Sequence, residues 1–369
     1  MSERVIRDIG VLGTGLWESP PIGNEVFGPE FAIRSTVRDP YNGLRGDDGI
    51  VRVAGTELIP GQHDRTIAAV EHSFTDPYRG ARRRRWFPDD LLVSSAETEA
   101  ATNALEDAGV DASQIGAVLV HSFLPDGINP KNATKIADNL GITGCLAFEV
   151  ESVCSSTLSQ MMVAGSLIAA GQADYVLCTQ SIAYSRLRDP NASTTVFEAD
   201  MASAFVMGRV PGCEMAFSFR TVGGLHGAIS LEWRRPTGAP PTPVWHGPRE
   251  RLHMSFDREL QKKVNADVAE YAKITTAEAL GKAERRIEDV EIFISHQPMS
   301  WFRPYMEDTL GLADGVAYDT FEEYANINSP SVTASIHEAR KEGRLRRGAN
   351  TLLYCPAAGY TYGAVAMRW

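Results

Sequence analysis

The chain has 369 residues, 43% hydrophobic and 22% charged, the composition of a folded globular protein with room for one large domain or two ordinary ones. A formal charge of -11 argues against non-specific nucleic-acid binding, and no apolar run is long enough to cross a bilayer. Five cysteines, an odd number with no Cys-x-x-Cys pair, argue against a disulfide framework and a zinc knuckle and fit a reducing cytoplasm.

Met1 to Asp8 is polar and charged, unlike a secretory signal. Asp39 to Asp64 is rich in Gly, Asp and Pro and reads as irregular. Gly116 to His121 is a short apolar run that predicts a buried strand. Pro130 to Leu140 has a helical pattern, and Leu146 to Glu151 predicts another strand. Ser155 to Ala170 predicts a helix with apolar Leu158, Met161, Met162, Leu167 and Ile168, closed by Gly171. Tyr175 to Thr179 is the next strand. Trp233 to Arg251 holds too much proline for a helix or a central strand and predicts a surface loop. This alternation predicts an α/β sheet with strands buried on both faces.

The chain also repeats itself. NALEDAGVDASQIGAVLVH ends at His121 and EALGKAERRIEDVEIFISH ends at His296. Each is followed by a helical segment closing at Leu-Gly, at Leu140-Gly141 and Leu310-Gly311. The repeat predicts two similar halves that meet near residues 215–255.

Cys154 falls between a strand and a helix that begins at Ser155 and Ser156. Free N–H groups and the positive dipole end of a helix favour a thiolate, the nucleophilic form of cysteine. Read blandly, a lone cysteine is a small buried hydrophobe, and Cys145, Cys178, Cys213 and Cys355 in their apolar runs are read that way. A nucleophilic cysteine needs a partner for proton and charge management. His296 stands at the end of an apolar strand, but so does His121, and position alone does not choose between them. Asn326 and Asn328 precede an apolar helical stretch, where helix capping is the plainer reading. Arg79 to Arg85 holds five arginines in seven residues, which reads equally as a solvated charge run or as a phosphate site.

These segments together resemble the ketoacyl-ACP synthase III branch of the thiolase superfamily over nearly the whole chain. IGVLGTGLWESPPIGNEVF resembles the family's first strand and turn, and ARRRRWFPDD with the following AETEAATNALEDAGVDASQIGAVLVHSFLPD resembles its arginine-bearing segment, helix and strand. FEVESVCSS resembles the nucleophile motif, FISHQPM the histidine motif, YANINSPSV the asparagine motif, and LLYCPAAGYTYGAVAMRW the closing glycine-rich hairpin. The resemblance implies a thiolase-like fold, two pseudo-duplicated βαβαβαββ halves in an αβαβα layering. The halves would be residues 1–214, carrying the cysteine, and 256–369, carrying histidine and asparagine, joined by a Pro-rich region at 215–255. It implies Cys154, His296 and Asn326 as catalytic residues. The backbone N–H groups of Cys154 and Gly359 would form the oxyanion site. Arg83, Arg84, Arg85, Trp86 and Arg303 would line an entrance for CoA or phosphopantetheine, with the acidic acyl carrier protein docking on the same patch. No tightly bound cofactor and no metal is implied, and the assembly would be a cytoplasmic homodimer.

Departures from the family pattern are also plain. His-Gln-Ala-Asn becomes His296-Gln297-Pro298-Met299, Gly-Asp-Gly-Ala becomes Ala199-Asp200-Met201-Ala202, and the Gly before the asparagine is Ala325. They imply a specialised member, of the secondary-metabolism kind. Three activities are compatible: decarboxylative condensation, acyl transfer to a hydroxyl or amine without carbon–carbon bond formation, and a non-catalytic partner subunit. Retention of Cys154, His296 and Asn326 disfavours the last.

Overall fold

The computed structural model describes residues 5–28, 41, 44–187, 194–233 and 252–369. The Pro-rich loop expected at Trp233 to Arg251 lies, from residue 234 on, outside the described residues.

β1 (Val5–Leu16) opens the chain, and helix α1 (Asp64–Thr75) and helix α2 (Val93–Ala108) follow. β2 (Ile115–Ser122), α3 (Ala133–Asn139), β3 (Leu146–Glu149), α4 (Ser156–Ala169) and β4 (Tyr175–Ile182) confirm the expected alternation, with ends shifted by a few residues. β5 (Met201–Thr221) leads to the paired strands β6 (Ile229–Trp233) and β7 (Leu252–Phe256). Then come α5 (Arg258–Lys282), β8 (Ile292–Ser295), α6 (Phe302–Leu310), β9 (Ala317–Tyr318), α7 (Pro330–Lys341), β10 (Asn350–Ala357) and β11 (Thr361–Arg368).

The strand order shows the duplication. One half runs β3-β2-β4-β5-β1 and the other β9-β8-β10-β11-β5. The two orders match strand for strand in direction as well. β2 is parallel to β3 and β4, as β8 is to β9 and β10, and the remaining neighbours are antiparallel. β5 is long because it serves both halves: Met201 to Met207 pair with β4, and Glu214 to Thr221 pair with β11. The boundary expected at residue 214 therefore falls inside one continuous strand.

Alternation along the strands creates five layers. Leu119, Cys178, Phe205, Leu353 and Cys355 point inward onto Leu158, Met161 and Ile168 of α4 and Val332 and Ile336 of α7. Val118, Val120 and Leu177 face the other way, onto Ala96, Ala100 and Ala104 of α2. Leu352, Tyr354 and Tyr362 face Val264, Val268 and Ala272 of α5 and Phe302 and Tyr305 of α6. Helices α4 and α7 are thus the middle layer and are buried from both sides, which is why α4 carries no charged residue. Gly13 and Gly15 bring β1 against α2. A Cβ at either would sit 2.3 Å from backbone atoms of Ala108 or Ala100, so the Gly-Thr-Gly spacing is a packing requirement.

Candidate active site

α4 and α7 occupy equivalent places in the two halves, and their N-terminal turns meet. Thr157 Oγ1 at the start of α4 donates to the Ser329 carbonyl just before α7, at 2.9 Å. Behind the junction lies a buried polar network. Thr333 Oγ1 and Ser203 Oγ both donate to Gln180 Oε1 at 2.9 Å, and Gln180 Nε2 donates to Gln160 Oε1. Each member is satisfied, so the network rigidifies the floor under the turns.

Cys154 sits in a short helical turn, Val153–Ser155, that runs into α4. The serines tie this turn to itself: Ser155 Oγ donates to the Ser152 carbonyl at 2.9 Å and Ser156 Oγ to the Val153 carbonyl at 2.7 Å. Val153 has φ +50°, a left-handed conformation costly for a β-branched residue. Ala325 at φ +59° and Asn328 at φ +53° lie beside the asparagine turn. Strain of about 1–3 kcal/mol per such residue survives only where the surroundings dictate the conformation, and here it collects around one cavity.

That cavity, about 740 Å³, is lined by Cys154, His296, Asn326, Asn328, Ala358 and Gly359, with apolar walls from Phe123, Leu231, Met254, Val264 and Trp301. His296 is 3% exposed, and its Nδ1 lies 3.0 Å from Ser331 Oγ. Its ring also donates to the Asn328 backbone carbonyl. Asn326 is fixed by its backbone, its N–H donating to the Phe197 carbonyl at 2.7 Å and its carbonyl accepting from Ala199 N–H at 3.1 Å. Its Oδ1 accepts from the Asn328 N–H at 3.0 Å, while its Nδ2 has only a long 3.4 Å contact to the Pro298 carbonyl. Asn328 Nδ2 donates to Tyr184 OH at 2.9 Å. The three residues expected from the motifs are therefore brought to one cavity.

The expected thiolate is not what the surroundings favour. Burial pushes the Cys154 thiol up to about 11, against a lowering contribution from the Ala358 N–H, and the Glu151 charge raises it further. Burial also pushes His296 down to about 4. Both groups rest neutral near pH 7, because loss of solvation outweighs the helix end. The thiolate fraction then rises with pH throughout the neutral and mildly alkaline range. Alkylation of Cys154 by iodoacetamide should accelerate about tenfold per pH unit there, without a plateau. A plateau below about pH 9, read by peptide mapping, would show a stabilised thiolate instead.

One backbone assignment shifts by a residue. The N–H that approaches the Cys154 sulfur belongs to Ala358, while Gly359, at φ +76°, makes the turn beside it.

None of the five expected entrance side chains lines this cavity. Arg83 is exposed and pairs with Glu323 at 3.0 Å. Arg84 is 0% exposed: its Nη2 donates to Asn24 Oδ1 at 2.6 Å, its guanidinium lies 4.9 Å from the Phe27 ring centroid, and burial lowers its pKa to about 10. Arg85 donates to the Ser19 and Glu323 carbonyls and lies 4.4 Å over Tyr324. Trp86 Nε1 donates to the Glu198 carbonyl at 3.4 Å. Arg303 pairs with Glu307 and Asp319 in a separate pocket. Arg84 and Arg85 are thus pins of the fold: the two Nη groups of Arg84 go to Gly23, Asn24 and Ala81, and Arg85 goes to Ser19 and Glu323. Arg84→Ala should lower stability by about 1–3 kcal/mol, the usual cost of leaving buried hydrogen-bond acceptors without a donor, with the donor KM of the folded enzyme unchanged. Arg83→Ala should move that KM by less than about twofold. A large KM rise with unchanged melting would restore the phosphate reading.

Among the described residues no group of His, Cys, Asp and Glu is arranged to hold a metal ion, and no helix is long and apolar enough to cross a membrane.

Residues 148–223 match the family described as 3-oxoacyl-[acyl-carrier-protein (ACP)] synthase III, and residues 280–369 match its C-terminal counterpart. The chain is 28% identical over 294 residues to a beta-ketoacyl-[acyl-carrier-protein] synthase III of Rhizorhabdus wittichii, covering 79% of this chain and 88% of that protein. It is 29% identical over 292 residues to beta-ketoacyl-[acyl-carrier-protein] synthase III 3 of Streptomyces coelicolor, covering 79% and 87%. In structure it is similar to the 3-oxoacyl-[acyl-carrier-protein] synthase III of Aquifex aeolicus, with a TM-score of 0.73 and 21% identity over 98% of this chain and 100% of that one. It is also similar to an OleA variant of Xanthomonas campestris, with a TM-score of 0.74 and 18% identity over 100% and 99%. At these identities the structural likenesses speak for the fold.

Proposed function

Because the chain belongs to the 3-oxoacyl-ACP synthase III-like family of the thiolase superfamily, whose members are acyltransferases, we propose that it carries an acyl group on Cys154 and extends it by decarboxylative condensation. The observation that carries this reading is the single cavity shared by Cys154, the Ala358 N–H, His296 and Asn326.

In the first half-reaction the Cys154 sulfur attacks the thioester carbonyl of an acyl-CoA or acyl-ACP donor. The thiol proton must leave as the bond forms, and neutral His296 is the buried base on the same cavity. It returns the proton to the departing donor thiol, so the step exchanges one thioester for another. The N–H groups of Ala358 and Cys154 stabilise the tetrahedral oxyanion. In the second half-reaction a malonyl-type thioester loses carbon dioxide, and its thioester oxygen gathers negative charge as an enolate. Asn326 Nδ2 and the His296 ring donate to that oxygen. The enolate carbon attacks the Cys154 acyl carbon, the carbon–sulfur bond breaks, and the Cys154 thiolate takes up one proton from solvent to return to the thiol. Asparagine suits this role because it donates without titrating.

The test is intact-protein mass spectrometry with a panel of acyl-CoAs, followed by malonyl donors while carbon dioxide is monitored. Acylation on Cys154 followed by carbon dioxide release and a β-ketoacyl product supports the reading. Acylation discharged only by a hydroxyl or amine acceptor replaces condensation with simple transfer.

A further inference from the structure

The charged side chains lining the cavity, among the described residues, are carboxylates, Glu151 and Glu198, and neither Lys nor Arg lines it. Glu198 lies between Phe197 and Ala199, the two residues whose backbones hold Asn326. It is half-buried and no ion pair to it exists among the described residues; Thr194 is its side-chain hydrogen-bond partner. Burial raises its pKa, as expected for a carboxylate with no cation against it. Tyr184, whose hydroxyl accepts from Asn328 Nδ2, lines the same cavity as Glu198 and Cys154.

Glu151 precedes the nucleophile by three residues, and its side chain is 46% exposed. Its Oε2 lies 3.6 Å from both Lys131 Nζ and His121 Nδ1. His121 is 0% exposed, and neither ring nitrogen has a partner within hydrogen-bond distance among the described residues. Burial alone would raise the Glu151 pKa, but His121 and Lys131 hold it down to about 2. His121 is the counterpart of His296 in the other half: each closes the central parallel strand of its half. Lys131 and His121 thus hold the Glu151 carboxylate ionised and in place on the cavity wall.

A carboxylate without an ion pair among the described residues, as Glu198 is, works against a thiolate and repels a malonyl carboxylate, so a site for neutral acyl chains gains nothing from it. We propose that the acyl group accepted by Cys154 bears a protonated nitrogen, an amine-type cation, that sits against Glu198 with Glu151 completing the negative surface. This deepens, and rests on, the reading that Cys154 carries the acyl group. A cationic acyl chain pairs Glu198 in a poorly solvated pocket, where charge pairs are strong. It also cancels the local charge before the malonyl carboxylate enters, which fits loading first and condensation second.

The test compares initial rates of Cys154 acylation, by intact-protein mass spectrometry at neutral pH. The donors are N-acetylcysteamine thioesters of short ω-amino acids, each paired with the alkanoyl chain of equal heavy-atom length. At the best chain length the amino donor should load about tenfold faster, the ratio expected of one effective charge pair. Glu198→Gln should collapse the ratio towards one, and Glu151→Gln, a more exposed substitution with less effect on folding, should reduce it in part. Equal loading of amino and alkanoyl donors by wild type, or a ratio that survives in the double variant, overturns the proposal while leaving acyl loading intact. Acylation that persists in Cys154→Ala would instead overturn the underlying reading and this inference with it.

Discussion

Cys154→Ala should give a protein that melts close to wild type and is never acylated. The substitution removes one sulfur atom from a side chain already 8% exposed, and the turn around it is held by serine hydroxyls and backbone groups that remain. A cost of about 1 kcal/mol is the scale for losing one buried atom group. The loss of acylation should be complete because no other cysteine can substitute. Cys178, Cys213 and Cys355 are each at most 1% exposed, and burial raises all three thiols. Cys145 is half-buried and lies away from the cavity. Intact mass after incubation with a panel of acyl thioesters, followed by peptide mapping, reads the outcome. Undiminished labelling of another residue would end the assignment.

The second large effect separates the two half-reactions. Asn326→Ala should leave acyl loading within a few-fold of wild type and lower condensation by about 10²–10³, the usual cost of one oxyanion donor. The side chain has two jobs that the geometry keeps apart, since Oδ1 accepts from Asn328 N–H while Nδ2 is the end left for substrate. Asn326→Asp keeps the acceptor for Asn328 and removes the donor, so it should fold normally and condense as poorly as the alanine variant. His296→Ala differs in kind, because that ring also takes the thiol proton, and both half-reactions should slow. Loading is read by mass spectrometry and condensation by carbon dioxide release. Wild-type turnover in Asn326→Asp would leave the decarboxylative reading without its main support.

The place of Cys154 on the cavity was legible because a strand, a cysteine and a serine-rich helix start are adjacent in the chain. His296 and His121 were indistinguishable by position for a reason the duplication makes clear: they occupy matching strand ends, and only their surroundings differ. His296 meets Ser331 and Asn328, and His121 meets Glu151, contacts that pair residues 30 or so positions apart or fall to a carboxylate the motif did not single out. The amide beside the Cys154 sulfur is that of Ala358 and not of Gly359, a difference of one residue that leaves no mark in the residue type because any residue but proline supplies an N–H. The partners of the arginine run were not legible because charge patterning is local while its neutralisation is not. Glu323, which pairs with Arg83 and Arg85, comes from the other half of the chain. The thiol was expected to be acidic from its helix end alone; the depth of its burial depends on both halves closing over it.

The contact between Thr157 and the Ser329 carbonyl has a consequence for how such a molecule can change over time. Cys154 and Asn326 stand just before two helices at the centre of the molecule and His296 at the end of β8, while much of the apolar wall of the cavity comes from β6, β7 and the early turns of α5. Substitutions in that wall alter what is admitted without moving the chemistry, and substitutions in the middle layer disturb the chemistry whatever is admitted. Diversification of this scaffold therefore has a cheap direction and a forbidden one. Directed evolution towards a new acyl group should begin at Leu231, Met254, Val264 and Val268 and leave Thr157, Gln160, Gln180 and Thr333 untouched.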